Sequence, residues 1–261
     1  MKRVGLREVP PATLDGLKAL HRAQIRKIPF ENFDIHLGRD IGVSRAAIFK
    51  KTVHSRRGGY CFELNELMLA ALQTFGFTAR WGLARVHLSG RPSGLQHQYS
   101  VVHLGGVDYL VDAGFGGQSP RAPLAVVLDA VQDVDFRRYR FMLAPPHGLM
   151  LQDWWEGAWR NLYSFDGRPA LDIDRTQGNF YTSRHPESFF TFVKSASIQT
   201  ADARFSLLEL RLTQESASGV TETQIPPGEA YLEILETVFG IELDARFEDL
   251  KPLNPAPAPR E

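Results

Sequence analysis

Apolar positions recur along this chain with two different periods. At first they fall at spacings of three and four, the mark of helices with one buried face. Leu14, Leu17, Leu20 and Ile25 follow Pro10-Pro11-Ala12-Thr13, which predicts a helix capped by Thr13. Ser44 is placed to cap a second helix carrying Ile48 and Val53. Between them Ile28-Pro29-Phe30-Glu31-Asn32-Phe33-Asp34 is rich in aromatic residues, and its proline forces it out of helix. Leu64, Leu67, Met68, Ala71, Leu72 and Phe75 predict a third helix, with Gly76 placed to end it.

From Phe77 onward the period is two. Phe77, Ala79, Trp81 and Leu83 alternate with Thr78, Arg80 and Gly82, which reads as a strand. Residues 88–96 read as a loop, and residues 97–104 and 107–112 as two strands about Gly105-Gly106. Short β-like runs follow at residues 139–143, 149–153 and 159–165, with one more strand at 205–212. Pro226-Pro227-Gly228-Glu229 then leads into a helix with Tyr231, Ile234, Leu235, Val238 and Phe239 on its apolar side. The chain is therefore expected to be α+β, a helical first part followed by an antiparallel barrel or curled sheet.

Composition narrows the class. At 261 residues the chain suits one large domain or two to three small subdomains sharing a core. Lys plus Arg and Asp plus Glu number 30 each, so charge points neither to nucleic acid nor to a membrane. No run approaches the roughly 18 apolar residues of a membrane span, and residues 1–20 lack the apolar centre of a signal peptide. One cysteine can form no internal disulfide, which favours a reducing, cytoplasmic setting. The eight histidines lack the spacing of a zinc protease, so no metal is expected. Gly114-Phe115-Gly116-Gly117 lacks a dinucleotide or P-loop pattern and reads as a tight turn.

That single cysteine, Cys61, sits just past Gly58-Gly59, on a turn or in the first turn of the third helix. A helix start favours the thiolate, the nucleophilic form, whereas a small buried hydrophobe is the plain alternative. A two-residue turn at Gly105-Gly106 sets Leu104 against Val107, and hence Tyr99 against Asp112. His97 and Asp112 then share one face as diagonal neighbours, within reach of an imidazole–carboxylate hydrogen bond. A loop of odd length would separate them. His103 opposes Asp108 in the same register, but beside the turn, where a solvated surface contact is expected. Cys61 with a His–Asp pair would make a Cys–His–Asp nucleophilic centre.

These residues resemble the arylamine N-acetyltransferase family. Arg57-Gly58-Gly59-Tyr60-Cys61-Phe62-Glu63 is similar to its nucleophile motif, Pro29-Phe30-Glu31-Asn32 to its Pro-Phe-Glu-Asn segment, and Val111-Asp112-Ala113-Gly114-Phe115-Gly116 to its aspartate motif. A histidine 15 residues before the aspartate, as in the family, selects His97 over His103. Weaker matches run through Asn179-Phe180-Tyr181-Thr182-Ser183, His185-Pro186 and Phe239-Gly240-Ile241. Two departures are visible: Gln96 stands where the family usually has threonine, and Ala113 where it has valine.

The resemblance implies a papain-like fold in three parts. They would be a helical bundle with the cysteine (residues 1–76), a β-barrel with histidine and aspartate (77–190) and an α/β lid (191–253), before a disordered tail (254–261). It implies ping-pong acetyl transfer from acetyl-CoA through Cys61 to a small aromatic amine or hydrazine, with a place in xenobiotic metabolism. Cys61, His97 and Asp112 would be catalytic, with the Cys61 N–H facing the oxyanion. Phe30 and Phe115 would line the acceptor pocket, Arg57 and Glu31 would pair, and Tyr181 would orient Asp112. Arg56 could face CoA phosphates or simply be solvated, and no CoA-binding residue transfers by motif. Neighbouring readings keep the three residues and change the chemistry: a related amide synthase or longer-chain acyltransferase, or a cysteine hydrolase or transglutaminase-like enzyme. A store for aromatic ligands is the non-enzymatic alternative.

Overall fold

The computed structural model describes residues 1–256. Thr13 caps α1 (Leu14–Ile25), its Oγ1 accepting the Gly16 N–H at 3.2 Å, and Leu17, Leu20 and Ile25 are buried. Ser44 caps α3 (Arg45–Phe49) in the same way. A π-helical stretch, Lys50–His54, continues it. The wider turn shifts the buried face, so that Thr52 is enclosed and Val53 only half-buried. Proline keeps the next segment extended only as far as β1 (Phe30–Glu31), after which α2 (Phe33–His36) makes one helical turn.

The long helix α4 (Cys61–Thr74) begins at the cysteine, and the Glu63 carboxylate accepts the Tyr60 N–H at 3.1 Å. Gly76, at φ +84, lets the Phe77 N–H turn back to the Leu72 carbonyl at 3.0 Å.

An eight-stranded antiparallel sheet follows. Its strands are β2 (Thr78–Val86), β3 (Leu95–Leu104), β4 (Val107–Val111), β5 (Leu124–Ala125), β6 (Gln132–Val134), β7 (Arg137–Leu143), β8 (Leu149–Trp155) and β9 (Ala158–Phe165), in the order β5-β4-β3-β2-β9-β8-β7-β6. The two edges meet through one side chain: the Gln132 amide both accepts from and donates to the Ala125 main chain, each at 2.8 Å. The sheet is thus a nearly closed barrel, filled by Tyr99, Val101, Leu110, Tyr139, Phe141, Leu151 and Phe165.

A second sheet has the order β1-β10-β11-β12-β13, with β10 (Ser195–Gln199), β11 (Ala203–Leu208), β12 (Arg211–Ser216) and β13 (Gly219–Gln224). Its edge strand comes from the other end of the chain, because Phe30 pairs with Ser197 and Glu31 with Ala196. On this sheet lies α6 (Glu229–Thr237), which buries Tyr231 and Leu235 beside Phe33 and Leu207.

Several expectations are corrected here. Residues 205–212 are not one strand but part of a hairpin, because Glu209, at φ +52, and Leu210 turn the chain within an apolar run. Strand β3 begins at Leu95, so the preceding loop is shorter than 88–96. Helix α5 (Asp172–Arg184), for which the sequence pattern set no expectation, carries no apolar stripe, since Ile173 and Phe180 are exposed and Gly178, Thr182 and Ser183 face inward. Asn254, assigned to the tail, is fixed by bonds to the Thr191 and Arg184 carbonyls, at 3.1 and 3.2 Å. The rest of the expected tail, from residue 257, lies outside the described residues. Among the described residues no helix is long and apolar enough to cross a membrane.

Candidate active site

Cys61 opens α4, and two glycines let it do so. A Cβ at Gly58 would stand 2.2 Å from the Pro29 carbonyl oxygen, and one at Gly59 would stand 2.8 Å from Glu63. The buried thiol points its Sγ at the Gln96 carbonyl, 3.6 Å away. On the far side a Cβ at Gly114 would lie 2.9 Å from the Cys61 Cα, so the loop after β4 packs directly on the start of α4.

The expected hairpin register is present, with Leu104 opposite Val107 and Ser100 opposite Val111. It brings His97 Nε2 within 2.8 Å of Asp112 Oδ2. The rival pair also forms, His103 Nδ1 to Asp108 Oδ1 at 2.8 Å, but at the surface. Both carboxylate oxygens of Asp112 are saturated. Oδ1 accepts from Asn65 Nδ2 and the Gly114 N–H, each at 2.9 Å, while Oδ2 accepts from His97 and from the Tyr163 hydroxyl at 2.8 Å. Asn65 further accepts the Ala113 N–H at 2.9 Å and donates to the Gln98 carbonyl at 2.5 Å, tying the nucleophile helix to both strands.

Electrostatics follow from this packing. Burial opposes the imidazolium of His97, yet the Asp112 carboxylate and the adjacent Cys61 outweigh it, and His97 is raised to about 9. Burial likewise opposes the charge on Asp112, but His97, Asn65 and Gly114 hold its carboxyl below the usual range. Tyr163 is pushed well above its ordinary value by burial and by Asp112, so it stays a phenol and a donor. Tyr181 is not at Asp112. It stacks on His185 with ring centroids 4.2 Å apart, and the hydroxyl on Asp112 comes instead from Tyr163 on β9.

Aromatic rings surround the thiol. Phe115 lies edge-on to His97 at 4.7 Å and to Tyr163 at 4.8 Å. Phe30 packs in one buried cluster with Cys61 and Tyr60. Phe190, which no motif singled out, joins that cluster and meets Phe30 at 5.8 Å and Tyr60 at 6.1 Å. Beneath them Arg57 pairs with Glu31 at 2.8 Å and Asp34 at 3.2 Å, and Lys51 bridges Asp34 and Glu63 at 2.8 and 2.9 Å. Arg56 is exposed.

The glycine turn after Phe115 packs against protein. A Cβ at Gly117 would stand 2.5 Å from Ser206 Oγ, and Gln118 Oε1 accepts from Arg137, Arg160 and Arg204 at 3.1, 2.8 and 3.1 Å. Among the described residues no cluster of three or more His, Cys, Asp or Glu side chains could hold a metal ion. Thiol, imidazole and carboxylate in this order suit a nucleophilic displacement at an acyl carbon.

Comparison with known proteins agrees with the geometry. Residues 13–247 match the sequence profile of a family described as N-acetyltransferase. The chain is 35% identical over 246 residues to the arylamine N-acetyltransferase of Mycobacterium tuberculosis, covering 92% of this chain and 87% of that one. The M. tuberculosis enzyme structure superposes with a TM-score of 0.88 at 35% identity, covering 92% and 91% of the two chains. The Salmonella typhimurium enzyme superposes with a TM-score of 0.88 at 30% identity, covering 92% and 89%. A Mycobacterium marinum arylamine N-acetyltransferase solved in complex with CoA has a TM-score of 0.90 at 30% identity, covering 96% and 95%.

Proposed function

The chain belongs to the arylamine N-acetyltransferase family, and on that premise we propose that it transfers acetyl groups from acetyl-CoA to aromatic amines or hydrazines through an acetyl-Cys61 thioester. The observation that carries the reading is the convergence of Cys61, His97 and Asp112 from α4, β3 and the end of β4, with His97 Nε2 2.8 Å from Asp112 Oδ2. In the first half-reaction the Cys61 sulfur, as the thiolate facing the His97 imidazolium, attacks the acetyl carbonyl of acetyl-CoA. The oxyanion faces the N–H at the start of α4, where the helix dipole favours negative charge. The C–S bond to CoA then breaks, and the His97 proton leaves with the CoA thiol.

This leaves a neutral imidazole. When the amine nitrogen attacks the thioester, His97 takes its proton, and collapse releases the N-acetyl product and restores Cys61. Asp112 holds the imidazole in one tautomer throughout. Phe30 and Phe115 offer ring faces to a flat acceptor, and the buried cluster around the sulfur limits water. That exclusion favours waiting for an amine over hydrolysis, the distinction between a transferase and a cysteine hydrolase.

The test is to incubate the protein with acetyl-CoA alone and take an intact mass with peptide mapping. One acetyl group on Cys61, discharged by an added arylamine or arylhydrazine, is the expected result. No label on Cys61 would remove acetyl-CoA as donor and turn attention to longer acyl thioesters. A label that water discharges as fast as the amine does would favour the hydrolase.

A further inference from the structure

We propose that His21, on the first helix, is a positioning residue for the candidate active site: its Nε2–H fixes the main chain of Asp112, and through it the aim of the carboxylate. The proposal rests on the acetyl-transfer reading for its kinetics, but not for its geometry.

His21 lies on the buried face of α1, fully enclosed beside Leu17, Leu20 and Ile25. A polar ring in that position is costly unless it makes a bond. It makes one, from Nε2 to the Asp112 carbonyl oxygen at 3.1 Å. A carbonyl only accepts, so Nε2 carries the hydrogen and Nδ1 the lone pair. Among the described residues Nδ1 has no hydrogen-bond partner. Burial is the main influence on the ring and, with help from neighbouring Arg22, outweighs Asp112 to lower it to about 4. The ring is therefore neutral at neutral pH, and among the described residues the Asp112 contact is the one bond it makes.

The position of that bond suggests its purpose. The β3–β4 ladder ends at the Ser100–Val111 pair, so Asp112 lies just beyond the register that fixes its neighbours. Four donors hold its carboxylate, but none of these bonds reaches the main-chain carbonyl behind it. A donor on the carbonyl resists rotation of that peptide from the rigid side of α1. Loss of the bond lets Oδ2 drift from His97, and with it the polarisation of Cys61.

His21→Leu removes the donor, and His21→Gln keeps an N–H at similar reach. Each would be followed by the rate of Cys61 alkylation with iodoacetamide, by single-turnover acetylation with acetyl-CoA, and by thermal unfolding. With the Leu variant folded, alkylation and acetylation should fall together by about ten- to hundredfold, with KM for acetyl-CoA little changed. The Gln variant should recover most of that loss. A folded Leu variant alkylated at the wild-type rate would overturn the proposal, as would a Gln variant that folds equally well and is equally slow. Should the Leu variant fail to fold, the nitrogen-15 shifts of wild-type His21 decide, because a ring protonated on Nδ1 instead of Nε2 would also refute it. If acetyl-CoA fails to label even the wild-type protein, the acetyl-transfer reading falls, and the alkylation rates still test His21.

Discussion

At the scale of single residues, the candidate site depends on how many donors hold one carboxylate. Tyr163→Phe removes one of the two donors on Asp112 Oδ2 and nothing else of size. A hydrogen bond to a charged group contributes about 1.5–3 kcal/mol. We therefore expect single-turnover acetylation to slow by roughly ten- to hundredfold while CoA affinity holds. Two histidines also set the pH range of stability. His97 is raised from 6.5 to about 9, so its stabilisation is full below pH 6.5 and is lost as pH rises through 9. His21 is lowered from 6.5 to about 4, so its contribution is full above pH 6.5 and is lost as pH falls through 4. Each limb amounts to something on the order of 3 kcal/mol. Chemical denaturation across pH should show a maximum near 6.5, with His21→Gln flattening the acid limb and His97→Gln abolishing the alkaline one. The His97–Asp112 pair was legible in the sequence because a two-residue turn dictates the register. Tyr163 and His21 were not, because they arrive from 51 and 91 residues away with no pattern to announce them.

At the scale of elements, the buried ion cluster under the nucleophile motif joins β1, α2, the π-helical stretch and α4. Arg57→Gln would leave Glu31, Asp34 and Glu63 with Lys51 as the main compensating charge. Breaking a buried pair on one side costs about 3–5 kcal/mol, and a fall in Tm, with early loss of the α4 start in hydrogen exchange, is the expected result. The short turn Phe189–Thr191 places Phe190 over Phe30 and Tyr60. Phe190→Ala should therefore hasten hydrolysis of acetyl-Cys61 without acceptor, followed by intact mass against time, more than it slows acetylation. The helices with apolar stripes and the strands with alternation could be read in advance. Helix α5 could not, since its buried side is Gly178, Thr182 and Ser183, and hydrophobic periodicity is blind to a helix packed through small and polar residues. The hairpin at Glu209-Leu210 was hidden because apolar residues continue through it and no glycine or proline marks the turn.

At the scale of the molecule, the order of helices and then a barrel-like antiparallel sheet followed from the change of period along the chain. The crossing of β1 into the last sheet did not, because two residues carry no strand signal of their own. That crossing binds the two ends into one cooperative unit. Near-UV circular dichroism and the accessibility of Cys61 should therefore lose structure at one denaturant midpoint, and two separated midpoints would contradict the prediction. The same strand has a consequence for synthesis. Phe30 and Glu31 leave the ribosome before the barrel is made, but Ser197 and Ala196, which they pair with, leave only after it. A nascent chain already holding Cys61, His97 and Asp112 thus still lacks the strand that closes on the nucleophile motif, and the reactive sulfur is set in place only after Ala196 and Ser197 have emerged.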